Sequence, residues 1–392
     1  MLLAILAGVL AGTFTGLTPG IHINLVSAAV LSLSPALLRY ATPLALAAFI
    51  VAMSVTHTFL DSIPSIFLGA PDGATALGVL PGHRLLLKGQ GLLAVELTLV
   101  GSLGATIASV LFFPLFVKII QWAYPFMKAM MGWLLLAVAA FMVFRDRKPI
   151  WAFVVFSLAG FLGLATLAAP LRNPLFPMLS GLFGVATLLY SLTTTTSLPR
   201  QEAHDIELPV RLGAKALASG QASGFLTAML PGLGAATAAV LSLQFTRGLG
   251  DDGYLVLQGS IGTVNFILSL ATLVVLGKAR NGSLVAVQKL VNVGVHHALL
   301  LLAAALLAAG CAALLAVLCG RVFARVVPRI PYRALIVSII AFIVVLTPVL
   351  SDWPGLVVLV TATAVGLIPA IVKTARVHAM ACLLVPVMTY FL

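Results

Sequence analysis

Long apolar runs follow one another along this chain with almost no charge inside them. Aliphatic and aromatic residues dominate from Leu2 to Leu38 and then over about 41–70, 91–117, 123–144, 150–169 and 174–191. The pattern resumes at about 213–246, 253–277, 285–320, 334–350, 355–372 and 377–392. Lipid solvates such runs but gives backbone N–H and C=O groups no partner, so each run must satisfy its own backbone as a helix. A spanning helix takes about 20 residues, which predicts an all-α polytopic membrane protein of roughly 10–12 membrane segments joined by short loops.

Composition narrows the function classes. The 392 residues are 61% hydrophobic and 8% charged, whereas soluble domains carry roughly a quarter charged residues. Too little charge remains to solvate a globular surface, which excludes a soluble enzyme, a nucleic-acid binder and a disordered chain. The net charge of +12 therefore reads as topology, since cytoplasmic loops carry the Lys/Arg excess. Cys311, Cys319 and Cys382 sit in apolar runs without CxxC or Cys/His spacing and read as small buried hydrophobes. The N-terminal run lacks a basic n-region, its first cation being Arg39, and is expected to stay as a first membrane segment.

The chain divides into two similar halves, 1–192 and 213–392, around a polar linker at 193–212. GVLAGTFTGLTPG (8–20) lies over GQASGFLTAMLPG (220–232), matching Gly8, Gly12, Thr15, Pro19 and Gly20 with Gly220, Gly224, Thr227, Pro231 and Gly232. Further on, 54–79 lies over 262–287, where His57 meets Asn265 and Asp61 meets Ser269. Matched Pro-Gly breaks with upstream glycines point to an internal duplication.

Loop charges orient the halves. With Arg145, Arg147 and Lys148 inside, counting crossings places fourteen cations inside and six outside, leaving aside Arg39 and Arg247. In this solution the first half starts outside and the second inside, so the repeats are inverted.

Inverted repeats with interrupted helices in matching positions point to a secondary transporter and its binding site. Proline breaks a helix and glycine lets the chain turn cheaply. Such a turn at membrane depth is tolerated only where protein or a watery cavity surrounds it. The half-helix beyond it aims free N–H groups and a positive dipole end at that space, which suits an anion. Gly16, Thr18, Pro19 and Gly20 with Pro231 and Gly232 are the expected substrate-binding turns, and a plain proline kink is the alternative. The stripe Gly8, Gly12, Gly16 and its partner Gly220, Gly224, Ala228 reads as close helix contact.

His22 and Asn24 follow the first break and can donate to a carboxylate, with Asn265 in the corresponding region of the second half. Asp61 is the deepest acid of the first half, and intramembrane acids usually serve an ion or proton pathway. His57 lies one helical turn before it, so His57 and Asp61 are assigned to ion coupling. A helix-capping role for Asp61 before Ser62 and Pro64 is compatible with that assignment. Asp72 reads as a turn residue, Arg84 and Lys88 as interface anchors or an anion attractor, and no metal site is expected at His296 and His297.

The sequence has no GxSxG, HExxH or Walker A motif, which leaves a hydrolase or an ATP-driven pump without its machinery. Three blocks carry a resemblance: the GxxxGxxPG opening (Gly12, Gly16, Pro19, Gly20), THTFLDSIPSIFLGAPDGATALGVLPGHRLLLKGQG (56–91) and SGFLTAMLPGLGAATAA (223–239). They are similar to the large permease subunit of the tripartite tricarboxylate transporters, in its shorter archaeal-type branch. That resemblance implies a plasma-membrane secondary transporter for small carboxylates, with no cofactor beyond a coupling H⁺ or Na⁺. It also implies a small membrane subunit and an extracytoplasmic binding protein as partners. The chain is shorter than the usual large subunit and its loops offer no obvious docking surface. The expected partners of the chain itself are a small organic anion and the bilayer, with a homodimer as one arrangement and no nucleic acid. Two other readings stay open: a transporter of a lipid-linked anion such as polyprenyl phosphate, and a membrane scaffold without transport.

Overall fold

The computed structural model describes residues 1–18, 23–68, 79–192, 199–229, 238–239, 242, 246 and 248–392. Among these residues all regular structure is helical. In the first half α1 is Leu2–Leu17, α2 Ile23–Ser32, α3 Pro43–Leu60, α4 Ser62–Leu68, α5 Val79–Leu87, α6 Gly91–Leu111, α7 Phe113–Phe144 and α8 Pro149–Ala168. A one-turn helix, Ser34–Leu37, precedes α3. The half closes with α9 Leu175–Leu179, a π-helical stretch Ser180–Val185 and α10 Ala186–Leu192. In the second half α11 is Val210–Met229, α12 Gly250–Leu276, α13 Gly282–Leu290, α14 Val295–Val326, α15 Tyr332–Ser351, α16 Pro354–Val372 and α17 Ala381–Phe391.

Local chemistry sets several of these boundaries. Thr42 caps α3, its hydroxyl accepting from the Ala45 N–H, with Pro43 at the first helical position. Asp251 and Asp252 place negative charge in the first turn of α12, and Gly277 ends it in the left-handed conformation at φ +60. Six segments are long and apolar enough to cross a membrane: Pro43–Leu68, α6, α8, α12, Val295–Arg329 and α16. Shorter apolar helices, α1 among them, supply the rest.

The packing cuts across the two halves. One large apolar core joins α1–α6 to α11–α14, running from Ile5 to Val327. Smaller clusters join the later part of α7 and α8–α10 to α15–α17, around residues such as Val155, Met178, Leu188, Ile343, Ala362 and Cys382. Enclosure is deepest around three spans of the inner body. In the most apolar 18-residue stretch of each, 78% of Pro43–Leu68 and 67% of α6 and of α12 are buried, against 44% for Val295–Arg329 at its edge and 39% for α8 and α16 in the outer body. The outer helices thus present most of their apolar surface outward, as lipid-facing helices do.

The halves interlock within the inner body. Helix α6 packs against α12 of the other half, and α14 returns the contact against α3. Near the end of α4, a Cβ on Gly82 of α5 would come within 2.7 Å of the Ile66 side chain. Arg84 of the same helix pairs at 2.6 Å with Asp251 in the first turn of α12. Helix α12 therefore begins at the end of the molecule where the α3–α4 span finishes, and the two spans run in opposite senses.

Loops assigned by charge to one side are neighbours. Residues 145–148 meet 372–378 through Lys148 to the Val372 carbonyl and Asp146 to His378. Gly89 accepts from the Glu202 N–H of the linker. On the opposite face Arg172 lies 3.5 Å from Asp352, and the Arg280 guanidinium sits 5.5 Å from the Tyr124 ring centroid.

Candidate functional site

The first helix ends inside the inner body. Thr18 leaves helical geometry at φ −101 and ψ 106 while its N–H still bonds to the Phe14 carbonyl. Glycines let α1 lie directly on α3. A Cβ on Gly8 would strike the Phe49 carbonyl oxygen, and one on Gly12 the Met53 carbonyl oxygen and the Thr56 side chain. On Gly16 it would fall 2.9 Å from Leu60 Cβ and 3.1 Å from the His57 carbonyl oxygen. The small-residue stripe is thus a packing seam, and its last member brings the end of α1 to the point where α3 gives way to α4.

That junction carries the charge. Asp61 occupies the single turn residue between α3 and α4, its N–H bonded to the His57 carbonyl at 2.9 Å. Asp61 is 8% exposed and His57 4%. His57 Nδ1 lies 3.1 Å from Thr15 Oγ1. The same Thr15 hydroxyl reaches the Gly12 carbonyl at 3.2 Å, so Thr15 ties the ring to the end of α1. A carboxylate and an imidazole enclosed at a helix interruption can take up and release a proton or help hold a cation.

Hydroxyl groups extend this site toward the second half. Thr98 on α6 lies 3.1 Å from Ser62, and Thr58 lies 3.3 Å from Thr263 on α12. Ser102 donates to the Gly259 carbonyl at 3.0 Å, and Gln221 on α11 donates to Ser109 at 2.8 Å. Thr98, Ser102, Thr106 and Ser109 recur at helical spacing and are all buried. This polar stripe along α6 was open to detection, since intramembrane hydroxyls on one helix face mark a packed or wetted seam. It carries neither an acid nor a helix break, the two features by which the other site residues stand out in the sequence.

The second half repeats the scaffold. A Cβ on Gly220 would meet Ser260 and the Leu257 carbonyl, and one on Gly224 would meet Val264 and the Ile261 carbonyl. Thr227 donates to the Gly224 carbonyl as Thr15 does to Gly12. In place of His57 and Asp61 stand Asn265 and Ser269, joined by a 3.3 Å bond from the Ser269 hydroxyl to Asn265 Oδ1.

The expected residues therefore fall into groups. Gly16, His57 and Asp61 come together, Thr18 follows at the end of α1, and Asn265 takes the place of His57 on α12. Asn24 also reaches the second half: its Oδ1 accepts from the Ser283 N–H at 3.1 Å and the Ser283 hydroxyl at 3.3 Å, at the start of α13. Pro19, Gly20, His22, Asp72, Pro231 and Gly232 lie outside the described residues. Among the described residues no group of three His, Cys, Asp or Glu side chains is placed to hold a metal ion.

Comparison with known proteins places the chain. An uncharacterized protein of Methanocaldococcus jannaschii is 31% identical over 306 residues, covering 76% of this chain and 75% of that protein. No solved structure matches. The model of the tripartite tricarboxylate transporter TctA family matches residues 2–381, nearly the whole chain. Taken with its six long apolar helices, this multi-pass plasma-membrane protein belongs to the TctA family of tripartite tricarboxylate transporters.

Proposed function

We propose that this protein is a secondary active transporter of small organic anions, tricarboxylates among them, working by alternating access and driven by an H⁺ or Na⁺ gradient. The observation that carries the reading is the enclosed His57–Asp61 pair at the interruption between α3 and α4, where α1 ends and the other half begins. An ionisable pair at that depth is costly unless it serves transport. In this reading the chain comprises repeats 1–192 and 213–392 joined by the 193–212 linker. The Pro-Gly turns hold the carboxylates through backbone N–H groups, with Gly16, Thr18, His22, Asn24 and Asn265 completing the pocket. His57 and Asp61 bind the coupling ion. A small membrane subunit and an extracytoplasmic binding protein are the partners that the family implies.

The test is uptake of labelled mono-, di- and tricarboxylates into proteoliposomes under imposed proton or sodium gradients. Accumulation of at least one acid under one gradient is the expected result. No flux for any acid under either gradient overturns the proposal.

A second reading, transport of a lipid-linked anion, draws on one feature. An apolar crevice of about 390 Å³ opens between α1 and α14, lined by Leu6, Val9, Leu10, Cys311, Leu314 and Leu315, and can seat a hydrocarbon chain. Binding of a polyprenyl phosphate that Leu10→Trp abolishes, in protein that moves no soluble acid, would replace the first reading by the second.

A further inference from the structure

We propose that a cleft in the outer body, formed where the α7–α8 turn meets the end of α16, binds the phosphate group of an anionic ligand at the membrane face. The cleft has a volume of about 300 Å³ and is lined by Arg145, Arg147 and Lys373, with Asp146 and His378 behind and Phe141 and Met142 along one wall. It lies in the outer body, apart from the site around Asp61.

Three observations favour an anion there. First, the cations arrive from two separate chain segments, and among the described residues Arg145, Arg147 and Lys373 form no ion pair. Three unpaired cations facing one cleft repel one another, and an anion between them removes that cost. Second, the one acid in the lining is already engaged. Asp146 accepts from the Lys148 N–H at 2.8 Å, the Ala375 N–H at 3.1 Å and His378 Nε2 at 2.8 Å. Its side chain is 6% exposed and that of His378 1%. The carboxylate thus fastens the two segments together and is not placed to neutralise the arginines. Third, Lys373 ends α16 in the left-handed conformation, φ 57 and ψ 47. Glycine is the easy occupant of that conformation, so a lysine there gives up some backbone comfort and supplies a charge to the cleft.

The walls suggest how the ligand sits. Arg145 packs its guanidinium 5.5 Å from the Phe141 ring centroid, which fixes the cation beside an apolar surface. Phe141 and Met142 continue down α7, a helix with exposed apolar residues such as Trp133 and Phe144. Phosphate oxygens facing the arginine forks and a hydrocarbon tail running along α7 describe an anionic phospholipid. Free phosphate offers the same oxygens without the tail.

Thermal unfolding of the purified full-length protein in a neutral detergent tests this. One arm titrates inorganic phosphate, another short-chain phosphatidylglycerol, and a third short-chain phosphatidylcholine. The expected result is a rise in midpoint with phosphatidylglycerol and none with phosphatidylcholine. The half-saturating concentration rises about tenfold in Arg147→Gln and in Lys373→Gly, as befits loss of one charge-assisted contact. Glycine accepts the left-handed conformation, so Lys373→Gly removes the charge without straining the fold. An equal rise with inorganic phosphate assigns the site to the phosphate group alone. Equal responses of the native protein and both variants, or equal responses to the two lipids, overturn the proposal.

Discussion

At Gly12 an added Cβ would run into the Met53 carbonyl and the Thr56 side chain; at Gly224 it would run into the Ile261 carbonyl and the Val264 side chain. The Gly8 and Gly12 contacts of the first half have counterparts at Gly220 and Gly224 in the second, down to the threonine that bonds back to the seam glycine. The contents of the two scaffolds differ. The first holds His57 and Asp61, the second Asn265 and Ser269. Packing constrains the shared residues, because any side chain at those glycines collides with a helix backbone. Nothing in the packing asks for a charge, since Asn265 and Ser269 occupy the same frame as a neutral pair. The proposed coupling role therefore rests on a pair, His57 and Asp61, whose place in the second half is taken by neutral residues.

The largest effect is expected from erasing that asymmetry. Asp61→Asn should reduce gradient-driven accumulation to the level of empty liposomes while substrate exchange persists. Ser269→Ala, at the matching place, should leave accumulation within about fivefold of the native protein, the scale of one neutral hydrogen bond. Equal losses in the two variants would mean that both halves contribute alike, and the comparison would fail.

The next effect concerns the shared frame. Gly12→Ala should destabilise by about 2 kcal/mol, because backbone on both helices must shift. At Gly224 the closest atom is the Val264 Cβ at 2.5 Å and the carbonyl oxygen is at 3.0 Å. That leaves more room, and Gly224→Ala should cost about 1 kcal/mol. Thermal unfolding in detergent ranks them, and the reverse order would contradict the seam as described.

These glycines also mark how far the sequence can be read. Close helix contact restricts the residue at each crossing, so glycine spacing alone marks Gly8, Gly12, Gly220 and Gly224 as seam positions. The Pro-Gly turns themselves lie outside the described residues. Asn24 was not legible in this way. Its partner is Ser283, which lies 259 positions away in the chain, and no local pattern announces such a bond. The division into inner and outer bodies was equally hidden. It depends on which lipid-compatible faces meet, and Leu or Val looks the same on either side of such a contact. The cleft at Arg147 and Lys373 arises only when two distant loops are brought together.

Asp146 asks whether low exposure alone explains the behaviour expected of Asp61. Burial favours its neutral form, but the Lys148 and Ala375 N–H groups and His378 outweigh it and hold the carboxyl at about 2, below the ordinary aspartate value of 3.8. Its contribution to stability is then complete above about pH 4 and is lost as pH falls toward 2. After allowance for solvent screening this is worth roughly 1–2 kcal/mol. Asp146→Asn should lower the unfolding midpoint at neutral pH and flatten the acid limb of the stability profile, with accumulation retained. Loss of accumulation in this variant would show that an enclosed acid anywhere in the protein suffices to disturb coupling.

The smallest effect is expected where the first half is rewritten to resemble the second. His57→Asn should change stability by less than about 1 kcal/mol, because an amide offers both a donor and an acceptor to Thr15. Thr15→Val sets the scale for that expectation. It removes the hydroxyl that faces the buried ring Nδ1, a loss of about 1–3 kcal/mol. If His57 is only a packing residue, His57→Asn will transport with the pH dependence of the native protein. If it works with Asp61, the variant will keep its fold and transport with a changed pH profile. A stable His57→Asn protein with an unchanged pH profile would remove histidine from the coupling pair and leave the asymmetry between the halves resting on Asp61 alone.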